Sequence, residues 1–182
     1  MNEPRARVWK KIACFYALTL LLSGGFDAFV LHAGKMDAGN LLYVTASMWS
    51  PALAAFATKR LFGERIRDLP WSWGPAKYVW LGYFIPVAYA LPVYLIAWLT
   101  GLGGFADAAF VRETAETFGW RELSPALTLA LFLCFTATFG LVGKTSRALG
   151  EEIGWRGFLV PELSKVVSFT GIGLISGVMW AI

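Results

Sequence analysis

The chain has 182 residues, of which 57% are hydrophobic and only 15% charged. A water-soluble domain carries about 45–50% apolar and about 25% charged residues, so the apolar excess excludes an ordinary aqueous core and points to lipid. The formal net charge of +4 does not point to nucleic acid, because the basic residues flank apolar runs, where membrane proteins keep them for orientation.

A membrane span needs roughly 20 mostly apolar residues. The first expected span covers about residues 12–31, behind a basic head of Arg5, Arg7, Lys10 and Lys11. It is read as an uncleaved span rather than a signal peptide, since the apolar stretch runs on to about Ala33 without a convincing small-x-small cleavage site. Gly24 and Gly25 fall inside it, and small residues in membrane helices allow close approach of neighbours. Asp27 and His32, the only histidine, lie near its outer end and are read as interfacial rather than catalytic. Lys35 follows in the first loop.

A second span is expected over about residues 41–58, kinked at Pro51. Lys59, Arg60, Arg65 and Arg67 follow it, and then a loop whose Trp71 and Trp73 suit the headgroup boundary. The third span covers about residues 78–99 and should bend at Pro86 and Pro92. Residues 101–122 form a polar connection, with a short surface helix expected over 105–118. A fourth span covers about residues 125–142, and a last apolar run extends from about 166 to 182. Cys14 and Cys134 both sit in apolar runs and read as small apolar filler. The fold class is therefore all-α, a polytopic transmembrane helical bundle. Lysine and arginine alternate between loops in a way that places the N-terminus, the loop after span two and the region around Lys144 and Arg147 on the cytoplasmic side of the cell (inner) membrane.

The segment Gly150-Glu151-Glu152-Ile153-Gly154-Trp155-Arg156-Gly157-Phe158-Leu159 carries the chemistry. Two adjacent carboxylates in apolar surroundings are costly unless paired. On a helix Glu152 and Arg156 share a face and can form an ion pair. Glu151 points about 100° away and is the less neutralised carboxylate. Such a group can take a proton from water, which suggests Glu151 as general base, with Glu152 and Arg156 as an orienting pair. The same spacing on an ordinary solvated helix would carry no chemistry. Flanking glycines at 150, 154 and 157 would let other helices pack tightly against the motif.

Glu-Glu-hydrophobic-x-aromatic-Arg-Gly-x-Leu resembles the first signature of the CPBP family, which includes the type II CAAX prenyl endopeptidases and bacteriocin-processing or immunity proteins. The likeness covers about sixteen residues of this chain. It implies an intramembrane endopeptidase, a hydrolase of the metalloprotease kind, in which Glu151 activates water and Glu152 and Arg156 support the site. It implies a membrane-associated peptide or protein substrate, contact with membrane lipid and no nucleic acid. Residues 1–124 would then hold N-terminal membrane helices, and residues 125–182 the start of the CAAX-protease-like domain. The family's second signature, an aromatic residue followed four positions later by histidine, would begin at Trp180 and place its histidine two positions past Ile182. The chain is accordingly expected to be an incomplete and inactive fragment. A divalent metal such as zinc would belong to the full-length relative, with none expected to bind this chain. The alternative is a non-enzymatic membrane protein, an immunity or scaffold factor, that keeps the glutamates as a packing ion pair.

Overall fold

The computed structural model describes residues 3–33, 38–72, 74–104 and 107–181, and the side chains of these except 33 and 38–41. Lys35, Trp73, residue 105 at the start of the expected surface helix, and residue 182 at the end of the last apolar run lie outside the described residues. All regular structure among the described residues is helical. In chain order the helices are α1 (Arg5–Ala33), α2 (Ala38–Leu61), α3 (Ala76–Leu99), α4 (Ala108–Phe118), α5 (Pro125–Phe135), α6 (Leu141–Gly154), α7 (Val160–Ser164) and α8 (Phe169–Ala181). Two wide π turns, Thr136–Gly140 and Trp155–Leu159, join α5 to α6 and α6 to α7. Among the described residues three helical stretches are long and apolar enough to cross a membrane: Arg5–His32, Ala76–Leu99 and Pro125–Ser164. The motif segment is part of the last of these.

The chain divides into two compact units, Met1–Trp71 with Gly143–Ile182, and Ser72–Val142. In the first unit α1 turns Val8, Ile12 and Phe15 inward, the i, i+4, i+7 stripe of an amphipathic helix. Lys11 lies on that same stripe. Facing α1, α2 offers the buried small residues Ser50, Ala52, Ala54, Ala55 and Thr58, which allow two backbones to approach closely in lipid. Ile153, Phe158, Leu159 and Leu163 of the motif region complete this core. The Phe15 ring meets Trp155 edge-on at 5.5 Å and lies tilted against Phe158 at 5.0 Å. Edge-on rings are a favourable quadrupole arrangement.

Two motif glycines are there for contact. A methyl group added to Gly150 would lie 2.8 Å from the Met48 carbonyl oxygen, and one added to Gly154 would lie 2.7 Å from the Pro51 carbonyl oxygen. Both obstacles are backbone, which cannot swing aside. Gly157 is different, with the nearest atom at 3.6 Å from such a methyl. Gly154→Ala should therefore destabilise the protein by about 1–3 kcal/mol, the usual cost of overpacking, whereas Gly157→Ala should change little. Thermal unfolding of the two variants in detergent checks the contrast. Gly24 and Gly25 depart from expectation, since a methyl at either would meet nothing within 4 Å. Among the described residues no neighbour packs against either position.

The second unit is built by local signals. The Asp107 carboxylate accepts from the backbone N–H groups of Ala109 and Phe110 to open α4, a standard N-cap. Gly119 closes α4 in the left-handed conformation, with φ 72°, which glycine adopts without steric cost. Ser124 caps α5 and Pro125 occupies its first turn. Phe110 and Phe118 of α4 pack edge-on against Phe132 of α5. α3 has no buried residue.

Candidate functional site

Glu151 and Glu152 sit in α6, just before the Trp155–Leu159 π turn. The Val160 N–H reaches back to the Trp155 carbonyl, and Pro161, which has no N–H, follows immediately. Loss of that donor helps to explain a wider turn here. π turns within α-helices are frequent at functional sites. The Glu152 carboxylate accepts from the Arg156 guanidinium one turn on. Both groups are well exposed, so their pairing contributes little stability but sets the charge balance at the cavity.

Glu151 is half-buried, and among the described residues it makes no hydrogen bond or ion pair. It lines two cavities. One, of about 250 Å³, is bordered by Tyr16, Thr19 and Ser23 of α1, Ser47 of α2, Trp155 and Trp180. The other, of about 400 Å³, is bordered by Glu152, Trp155, Arg156, Ser176 and Trp180. The close seating of Gly150 and Gly154 on α2 fixes the helix that presents Glu151. The arrangement places one free carboxylate between two cavities each roomy enough for several water molecules, with its neighbour paired to a cation. Such a carboxylate can accept a proton from a water molecule held there.

Asp27 is exposed on α1 and borders a separate cavity of about 330 Å³ with Val44, Ser47 and Met48. His32 lies in the last turn of α1, about 24 Å along the helix from Tyr16 at 1.5 Å per residue. Cys14 and Cys134 are free thiols.

The strongest electrostatic feature was not foreseen from sequence. Lys11, with 0% exposure, stands among three carboxylates: Glu3 at 2.9 Å, Glu64 at 2.7 Å and Glu162 at 2.9 Å. Lys59 pairs with Glu64 at 2.9 Å, and Lys165 with Glu162 at 2.6 Å and Glu3 at 3.2 Å. Arg5 and Arg7 donate to the carbonyls of Val166 and Phe62, at 2.8 Å each. The N-terminal basic residues thus tie the start of α1 to the loop after α2 and to the end of the motif region. One signal in the sequence pointed this way: Glu162 interrupts the apolar run Phe158-Leu159-Val160-Pro161-Glu162-Leu163 and requires a partner.

Glu3, Glu64 and Glu162 could in principle hold a metal ion, since each offers an oxygen within 4.8 Å of the others. The Lys11 ammonium already occupies their midst, and Lys59 and Lys165 pair with them from the edge, so three cations balance the three carboxylates and this cluster does not fit a further cation. Glu151 and Glu152 do not make a metal centre by themselves either, because a catalytic site needs about three protein ligands around an open position and Glu152 is engaged by Arg156.

Burial of Glu64 disfavours its charged form, but hydrogen bonds from Lys11 and Lys59 outweigh this and hold the carboxyl down at about 2. A carboxyl depressed from its ordinary 4.5 contributes stability that is fully present above that pH and is lost as pH falls through about 2. The unfolding midpoint in detergent should therefore fall across this acid window, and Glu64→Gln should flatten the slope there.

No protein-family pattern, curated protein or solved structure matches the chain.

Proposed function

We propose that the chain carries the glutamate centre of an intramembrane endopeptidase of the CAAX-protease (CPBP) type. The observation that supports this reading is the state of Glu151: half-buried, without a partner among the described residues, and lining two cavities beside an Arg156-neutralised Glu152. Glu151 takes a proton from a water molecule as the water oxygen bonds to the carbonyl carbon of a peptide bond. That proton then passes to the departing nitrogen as the C–N bond breaks. Arg156 cancels the charge of Glu152, so that Glu151 does not face an uncompensated like charge. The substrate is a membrane-associated peptide or protein. The cavities open toward the cytoplasmic side of the cell membrane, on the basis of lysine and arginine placement.

The test compares peptides released from membranes of cells carrying the natural gene product and its Glu151→Gln form, at equal membrane insertion. Products that vanish in the variant support the hydrolase. An unchanged set of peptides together with unchanged biological activity would sink it, and would favour a non-enzymatic immunity or scaffold role.

A further inference from the structure

The Tyr16 hydroxyl is buried and has no hydrogen-bond partner among the described residues. An orphaned buried donor in a native fold calls for a reason, and one such reason is a ligand or water that occupies its partner position. Tyr16 borders the 250 Å³ cavity that Glu151 also borders. It is the first member of a polar stripe on α1, followed by Thr19 and Ser23 on the same lining. The spacing of i, i+3 and i+7 keeps the three residues on one face of the helix.

The three hydroxyls are not equivalent. Thr19 donates to the Phe15 carbonyl at 2.9 Å, and Ser23 donates to the Thr19 carbonyl at 2.9 Å. Their hydrogens are committed, while their oxygens keep lone pairs and can accept. Tyr16 still has its hydrogen to give. The free Tyr16 donor, the Thr19 and Ser23 acceptors and the Glu151 carboxylate therefore border one cavity together with Ser47, Trp155 and Trp180, and its other lining includes Leu20, Met48, Pro51 and Met179. A polar row on an apolar, membrane-length helix is a binding candidate by default. An amide has a matching pattern: a carbonyl that accepts and an N–H that donates, on an otherwise apolar backbone.

We propose that the Tyr16–Thr19–Ser23 face of α1 binds the backbone of an extended apolar peptide, with the Tyr16 hydroxyl donating to a peptide carbonyl oxygen and Thr19 and Ser23 accepting from peptide N–H groups. The orientation brings that carbonyl to the cavity of Glu151. The assignment of this ligand as substrate rests on the hydrolase reading above. Binding itself does not.

The experiment measures saturable binding of radiolabelled N-acetyl-leucyl-leucine methylamide to the purified chain in detergent, with empty micelles subtracted, for wild type, Tyr16→Phe, Ser23→Ala and Glu151→Gln. Tyr16→Phe removes only the hydroxyl and should weaken binding about tenfold, the scale of one lost hydrogen bond. Ser23→Ala should weaken it less, and all variants should keep the wild-type elution profile. No saturable binding to wild type, or equal affinity in Tyr16→Phe, overturns the proposal. Tyr16-dependent binding without any Glu151-dependent cleavage in the membrane test would keep this inference and remove the hydrolase reading. Cleavage that depends on Glu151 but not on Tyr16 would do the reverse.

Discussion

Replacing Lys11 by methionine is expected to destabilise the first unit by about 3–5 kcal/mol, the usual cost of removing one partner from a buried ion pair. The size follows from what remains. Methionine keeps most of the side-chain volume, so the core contacts around Val8, Ile12 and Phe15 are largely retained. Glu3, Glu64 and Glu162 would instead confront one another across the space the ammonium leaves, with their oxygens within 4.8 Å. Lys59 and Lys165 would still compensate part of that charge from the edge. The loss should show in the thermal midpoint in detergent and as faster proteolysis of the segment before Arg5. The double variant Lys11→Met with Glu162→Gln should recover part of the stability, because it removes the most buried of the three carboxylates. An unchanged midpoint for Lys11→Met would mean that the charges are solvated in the protein and not gathered as described.

On the hydrolase reading proposed above, cleavage should drop by about 10²–10⁴-fold on Glu151→Gln, the range of a general base. Glutamine has nearly the same shape and cannot take the proton. Glu151→Asp keeps the base but withdraws it by one methylene, and should retain a fraction of the rate. Arg156→Lys should act differently. Lysine supplies the charge without the planar fork, so Glu152 stays neutralised but is less firmly oriented, and a smaller loss is expected. Rates from membranes with matched protein levels give the order wild type, Arg156→Lys, Glu151→Asp, Glu151→Gln. A Glu151→Gln rate equal to wild type removes Glu151 from the chemistry.

The helices were legible in the sequence because lipid-length apolar runs are a strong local signal: residues 12–31 fall within α1, 78–99 within α3, and 125–142 at the head of the stretch Pro125–Ser164. The ion pair of Glu152 with Arg156 could be anticipated for the same reason, since i, i+4 spacing is local. What the sequence concealed was non-local. Lys11 read as one of four interfacial cations, yet it is the one that falls on the inward stripe of α1, and its partners lie 8 and 53 residues away and, for Glu162, near the other end of the chain. α1 consequently starts at Arg5, well before the apolar run, because its basic first turns have partners to meet. The Tyr16 hydroxyl was hidden likewise: a tyrosine in an apolar run signals nothing until the surrounding helices show whether its oxygen finds a mate.

The wide turn at Trp155–Leu159 has a geometric consequence for the two carboxylates on either side of it. Eleven residues separate Glu151 from Glu162, and at about 100° per residue a regular α-helix would bring them to nearly the same azimuth, about 20° apart. A π turn takes up roughly one additional residue and so rewinds the later segment by close to a quarter of a circle. One rod thereby shows an acid to the cavity at Glu151 and a second acid to the Lys11 cluster at Glu162. Winding the same residues as a regular α-helix, without the wide turn, would realign the two, and the helix could then satisfy one of these neighbourhoods only by abandoning the other.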